Sequence, residues 1–156
     1  MAPSLQGSHQ GKDLRVGVVV ARFNTSITTR LLEGCKASLS KCAVKTENIT
    51  VVNVPGSFEL PLTAKCMADS KRFDAVVCLG AVIRGETDHY EHVGAQAARG
   101  ITDAALATGV PVVFGVLTTD TVEQAFARAG GKPGESVMSA PAQHKSDLDE
   151  SSSNGG

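Results

Sequence analysis

His89 and the run Arg84-Gly85-Glu86-Thr87 just before it hold the residues of this chain best placed to do chemistry. The preceding residues, Ala75-Val76-Val77-Cys78-Leu79-Gly80-Ala81-Val82-Ile83, are apolar without helical period and too short for a typical helix. The residues after Thr87 take up a helical pattern. A strand that turns into a helix leaves unpaired backbone N–H groups at the positive end of the helix dipole, where an anion such as phosphate can sit. An imidazole within the first turn of that helix can take or give a proton. Phosphate holding beside proton transfer is the chemistry these residues suggest.

Those residues need a scaffold, and the rest of the chain supplies one by alternation. Arg15–Val20 is β-branched and nearly continuous, as in a strand buried on both faces. Ile27, Leu31, Leu32, Cys35 and Leu39 then recur at helical spacing, with Asn24 or Thr25 as the expected cap. A second strand is expected over Asn48–Val54, and a helix from about Glu59 to Ser70 with Pro61 in its first turn. A third strand over Asp74–Ile83 leads to a long helix over Thr87–Leu106, with Tyr90, Val93, Ala97, Ile101 and Ala105 on one face. A fourth strand over Pro111–Val116 precedes a helix near Thr121–Ala129 that Gly130-Gly131 stops.

Strict strand–helix alternation implies a parallel sheet with right-handed crossovers and helices on both faces. Ligands of such sheets lie beyond the carboxyl ends of the strands. The loops Arg22-Phe23-Asn24, Gly56-Ser57-Phe58-Glu59, Arg84–His89 and Leu117-Thr118-Thr119 are all expected at that edge.

The 156 residues suffice for one domain with a proper core, and 42% hydrophobic with 20% charged residues is ordinary for a globular protein. A net charge of -1 gives no electrostatic footprint for nucleic acid or an anionic membrane. No apolar run is long enough to span a bilayer, and the opening residues lack the pattern of a secretory or transit signal. Cys35, Cys42, Cys66 and Cys78 show no metal-ligand spacing, so they are expected as free thiols packed like small apolar residues in a reducing compartment. Residues 1–13 read as a flexible polar arm, 14–132 as the folded domain, and 133–156 as a disordered tail.

Several collinear stretches resemble the lumazine synthase family. They are Ala21-Arg22-Phe23-Asn24, Val54-Pro55-Gly56-Ser57-Phe58-Glu59-Leu60-Pro61, Gly80 through Tyr90, Phe114-Gly115-Val116-Leu117-Thr118-Thr119, and Glu123 through Gly130. The resemblance implies a three-layer α/β/α sandwich around a four-stranded parallel, flavodoxin-like sheet. It also implies an enzyme of riboflavin biosynthesis, 6,7-dimethyl-8-ribityllumazine synthase. Such an enzyme condenses 5-amino-6-(D-ribitylamino)uracil with 3,4-dihydroxy-2-butanone 4-phosphate and releases phosphate and water. No cofactor and no metal are implied. The implied partners are the small-molecule substrates, further copies of the chain in a pentamer or a shell of pentamers with shared active sites, and riboflavin synthase. The expected location is the cytoplasm, or a plastid if the source is photosynthetic. A non-catalytic lumazine- or flavin-binding assembly subunit is the competing reading.

Residue by residue, Phe23 matches the aromatic that stacks on the pyrimidine, although a hydrophobic staple ahead of a helix cap has the same signature. Ser57, Phe58 and Glu59 match the loop that holds the ribityl and pyrimidine groups; Glu59 is equally a first-turn acid favoured by the helix dipole. Ala81, Val82 and Ile83 match the strand end offering main-chain hydrogen bonds to the pyrimidine. Phe114 matches an aromatic lent to a neighbouring subunit's pocket, and on its own would pass for core. Gly85, Glu86 and Thr87 match the phosphate turn, with Thr87 also readable as a helix cap. Arg128 matches a phosphate clamp from a neighbouring subunit, or else a cation balancing a helix C-terminus. His89 matches the catalytic histidine, whereas His92 reads as solvated.

The chain departs from the family pattern after Gly134. Glu135-Ser136 stands where the family has Asn-Lys-Gly and a long Ala-rich helix, so Ser136 replaces a lysine, while Lys132 is retained. Pro141 and the later Ser, Asp and Gly residues do not rebuild that helix. The expectation is a chain that keeps the fold and most of the site but is less active or less stably assembled than a relative with the helix.

Overall fold

The computed structural model describes residues 2–130; the 133–156 tail, Lys132 and Ser136 lie outside them. Four parallel strands, β1 (Val16–Ala21), β2 (Ile49–Val54), β3 (Ala75–Ile83) and β4 (Val112–Thr119), form one sheet in the order β2-β1-β3-β4. The helices are α1 (Thr25–Lys41), α2 (Leu60–Asp69), α3 (His89–Thr108) and α4 (Val122–Arg128). Short 3-10 turns at Thr46–Asn48 and Ser57–Glu59 precede β2 and α2.

Every residue of β1 is buried, and so is all of β3 between its first and last residues, which explains their unbroken apolar runs. On one face, Val16, Val18, Val20, Val77, Leu79 and Ala81 pack under Ile27, Leu31, Cys35 and Leu39 of α1 and Ala125 of α4. On the other, Val19, Ala21, Val76, Cys78 and Val82 pack under Leu60, Ala64 and Met67 of α2 and Ile101 of α3. The result is the three-layer sandwich expected from the alternation. Chain direction reverses between β1 and β3: α1 carries the chain outward to β2 on one face, and α2 brings it back across β1 on the other. That reversal opens a crevice at the carboxyl ends of β1 and β3.

Boundaries shift where local chemistry was hidden in the sequence. β4 runs on through Leu117-Thr118-Thr119, read above as a loop, because these residues pair with Ala81, Val82 and Ile83. α3 starts at His89 instead of Thr87, and α4 begins behind a capping box in which the Thr121 hydroxyl accepts from the Gln124 amide. Residues 2–10 form neither helix nor strand, but Gly11 is buried and its amide donates to the Cys42 carbonyl at 2.6 Å. Cys35, Cys42 and Cys78 are buried as expected for packed thiols; Cys66 is exposed on α2, which corrects that reading for one of the four.

Candidate active site

A cleft of about 730 Å³ opens at the carboxyl edge of the sheet on the α2/α3 side. Three segments wall it: Phe23 after β1, Pro55 through Glu59 after β2, and the end of β3 with the first turns of α3. It brings together Phe23, Ser57, Phe58, Glu59, Ala81, Val82, Ile83, Gly85, Thr87 and His89 from the sequence-derived set.

Each wall is held by identifiable bonds. After β1 the chain keeps pairing with the end of β2, through the Arg22 amide to the Val54 carbonyl at 2.8 Å and the Phe23 amide to the Pro55 carbonyl at 3.0 Å. Asn24 then takes a left-handed conformation, φ 61° and ψ 47°, which asparagine tolerates better than most residues. Its side chain does not cap α1, as the sequence suggested, but donates from Nδ2 to the Ala81 carbonyl at 2.9 Å. One amide group therefore ties the Phe23 loop to the end of β3 and occupies one lone pair of the Ala81 oxygen. Phe23 itself remains 72% exposed, so it is no staple against α1.

The second wall rests on a glycine. A Cβ at Gly80 would lie 2.4 Å from the Ser57 Oγ and 3.3 Å from the Leu60 Cδ1, so only glycine lets the Ser57–Glu59 turn sit this low on the sheet. Ser57 is accordingly buried, while Phe58 is 61% exposed. Glu59 Oε2 accepts from the Gly56 amide at 2.9 Å, closing the turn; this is the structural role of the acid, and it leaves Oε1 for other donors.

At the third wall, the Arg84 amide still pairs with the Thr119 carbonyl at 2.9 Å, and helical bonding resumes where the Glu91 amide reaches the Asp88 carbonyl at 3.0 Å. Between them, no acceptor among the described residues takes the amides of Gly85, Glu86 or Thr87. Consecutive exposed amides at the start of a 20-residue helix make a cradle for an anion. A Cβ at Gly85 would meet nothing within 4 Å, so the fold does not demand glycine there and the space is open to a ligand. His89 opens α3 beside this turn, with its amide 3.4 Å from the Thr87 hydroxyl.

Glu86, Phe114 and Arg128 do not line this cleft. Glu86 is exposed, so an acid in the turn need not face a bound anion. Phe114 sits on the edge strand β4 opposite Cys78, toward the amino end of the sheet, and is 37% exposed. Arg128 is exposed in the last turn of α4, on the opposite face of the sheet, where among the described residues its guanidinium reaches only the Gln124 carbonyl, at 3.4 Å. Conversely, Tyr90, His92 and Val93 do line the cleft. The spacing of His89 and His92 places both imidazoles on one helix face, and that signal was available in the sequence.

Residues 13–144 match the family model described as 6,7-dimethyl-8-ribityllumazine synthase, a match that continues past Pro133, where the sequence changes character. The chain is also similar to the 6,7-dimethyl-8-ribityllumazine synthase of Syntrophus aciditrophicus (strain SB). The two are 53% identical over 129 residues, covering 83% of this chain and 84% of that protein.

Proposed function

The chain belongs to the 6,7-dimethyl-8-ribityllumazine synthase family, and we propose that its cleft is where the two substrates of that reaction meet. The activity is a transferase step of riboflavin biosynthesis: 5-amino-6-(D-ribitylamino)uracil and 3,4-dihydroxy-2-butanone 4-phosphate condense to 6,7-dimethyl-8-ribityllumazine with loss of phosphate and water. The observation that carries the site assignment is the convergence of Phe23, Ser57, the end of β3, the open Gly85–Thr87 amides and His89 on one cleft.

In this reading the pyrimidine lies against Phe23, its edge bonded by main-chain groups of Ala81, Val82 and Ile83. Ser57, Phe58 and the free oxygen of Glu59 face the ribityl chain. The phosphate of the second substrate rests on the amides of Gly85, Glu86 and Thr87. The pyrimidine's amine attacks the ketone, and water leaves as the imine forms. Loss of the phosphate, proton shifts and ring closure follow, the last releasing water again. His89, beside the phosphate turn, carries protons to and from these atoms. Holding two substrates in register supplies much of the remaining acceleration.

Phe114 and Arg128, exposed and outside their own chain's cleft, suit contribution to the cleft of an adjacent subunit in a pentamer or a shell built of pentamers. Riboflavin synthase is the further partner in this reading, and the cytoplasm or a plastid is the location. No helix among the described residues is long and apolar enough to cross a membrane.

The test is direct: mix both substrates with the protein and follow lumazine fluorescence above the uncatalysed background. His89→Ala is expected to lower turnover roughly 10²-fold with an unchanged melting temperature. Near-normal turnover by that variant would remove His89 from the mechanism.

A further inference from the structure

Arg84 leaves the end of β3 immediately before the three open amides, and its side chain is committed in three directions. Its Nη2 pairs with Glu91 Oε1 at 3.4 Å, its Nε with Asp120 Oδ1 at 3.5 Å, and its guanidinium carbon lies 5.5 Å from the centre of the Tyr90 ring. Its own amide is fixed to Thr119. The guanidinium thus joins the last residue before the turn to the first residues after it, and both to the loop that follows β4.

We propose that Arg84 is a positioning residue for the phosphate-bearing substrate: it staples the two ends of the Gly85–Asp88 turn and so fixes the concavity of the amides without touching the phosphate. This role rests on the cleft being the substrate site. The pairs are solvent-exposed, with side chains between 55% and 67% accessible, so each adds little to global stability. Their value is geometric. The turn makes no backbone–backbone hydrogen bond of its own across Gly85 to Thr87, so among the described residues only the long bond from the His89 amide to the Thr87 hydroxyl helps Arg84 set its curvature. Arginine suits the task because one planar group can serve two carboxylates from different elements while lying over a ring; lysine offers a single point charge. Tyr90, beneath the guanidinium, also lines the cleft next to His89, so the same contact steadies the start of α3.

The experiment compares the full chain with Arg84→Met, Arg84→Lys, Glu91→Gln and Asp120→Asn. Arg84→Met is expected to raise KM for the butanone phosphate roughly 10-fold, with the pyrimidine KM and the melting temperature little changed. Arg84→Lys should fall between that variant and the parent. Glu91→Gln should raise the same KM, and its effect should not add to that of Arg84→Met, because both release one staple. An unchanged phosphate-substrate KM in Arg84→Met overturns the proposal. So does a lowered KM in Glu91→Gln or Asp120→Asn, which would mean that freeing Arg84 lets it ligate the phosphate directly. Calorimetric binding of inorganic phosphate to the same proteins separates this question from the reaction itself. If the parent chain fails to form lumazine yet Arg84→Met weakens phosphate binding, the staple stands and the cleft assignment fails. If phosphate binds both equally, the staple fails.

Discussion

At the scale of single residues, thiol chemistry offers a check that is independent of catalysis. Burial pushes Cys35 and Cys78 up to about 12 from an ordinary value of 9.0, slightly offset at Cys35 by the charge of Lys36. Cys42 is buried as well, and Cys66 is exposed. A thiol-titrating reagent at mildly alkaline pH should therefore modify Cys66 in the native protein and reach the other three only after denaturation. Raised thiol values also fix the sign of a stability effect. Below pH 9 both folded and unfolded chains keep the thiols protonated, and this contribution is whole. Between 9 and 12 the unfolded chain loses protons that the folded one retains, so stability falls as pH rises. Melting curves across that window should show the decline, and Cys78→Ala should make it shallower. Residues announced by type were legible in the sequence: Phe23, Ser57 and His89 all reach the cleft. Asn24 and Arg84 were not, because their roles depend on Ala81, Glu91 and Asp120, partners that only the fold brings near.

Among the elements, the close seat of the Ser57–Glu59 turn on β3 is the most sensitive joint. Gly80→Ala would drive a methyl group into Ser57 Oγ and press on Leu60. A loss of about 1–3 kcal/mol of stability is expected from such overpacking, with a raised KM for the pyrimidine substrate as the turn lifts. Ser57→Ala in the same chain removes the clashing oxygen, and should recover part of the stability but not the KM. Chemical denaturation of the single and double variants checks this. Gly100, whose Cβ would lie 2.6 Å from Pro61, sets the approach of α2 and α3 in the same way, away from the cleft. The elements themselves were readable from period and punctuation, since β1 and β3 are buried on both faces and α1 to α3 each show one apolar stripe. The last residues of β4 were not, because Leu117-Thr118-Thr119 has the composition of a loop and becomes strand by pairing with the far end of β3.

For the molecule as a whole, the proposed sharing of sites between subunits makes a testable prediction. His89→Ala and Arg128→Ala would each disable a cleft from a different side if Arg128 serves its neighbour. Mixed assemblies refolded from the two impaired chains should then exceed the activity of either alone, because some interfaces pair an intact His89 with an intact Arg128. Assemblies of either variant alone should stay at their low rates, and a mixture no faster than they are would mean that Arg128 does not serve a neighbour's cleft. The carboxyl-edge location of the cleft followed from alternation alone, whereas the position of Phe114 and Arg128 outside it depends on strand order and on the face each helix covers.

Two phenyl rings, Phe23 and Phe58, stand largely bare on the walls of one open cleft. Water ordered over them must leave when a flat heterocycle slides in, and released apolar hydration lowers the heat capacity of the complex. Titration calorimetry at several temperatures should find pyrimidine binding growing steadily more exothermic on warming. Inorganic phosphate, which has no ring to cover, should show almost no such slope.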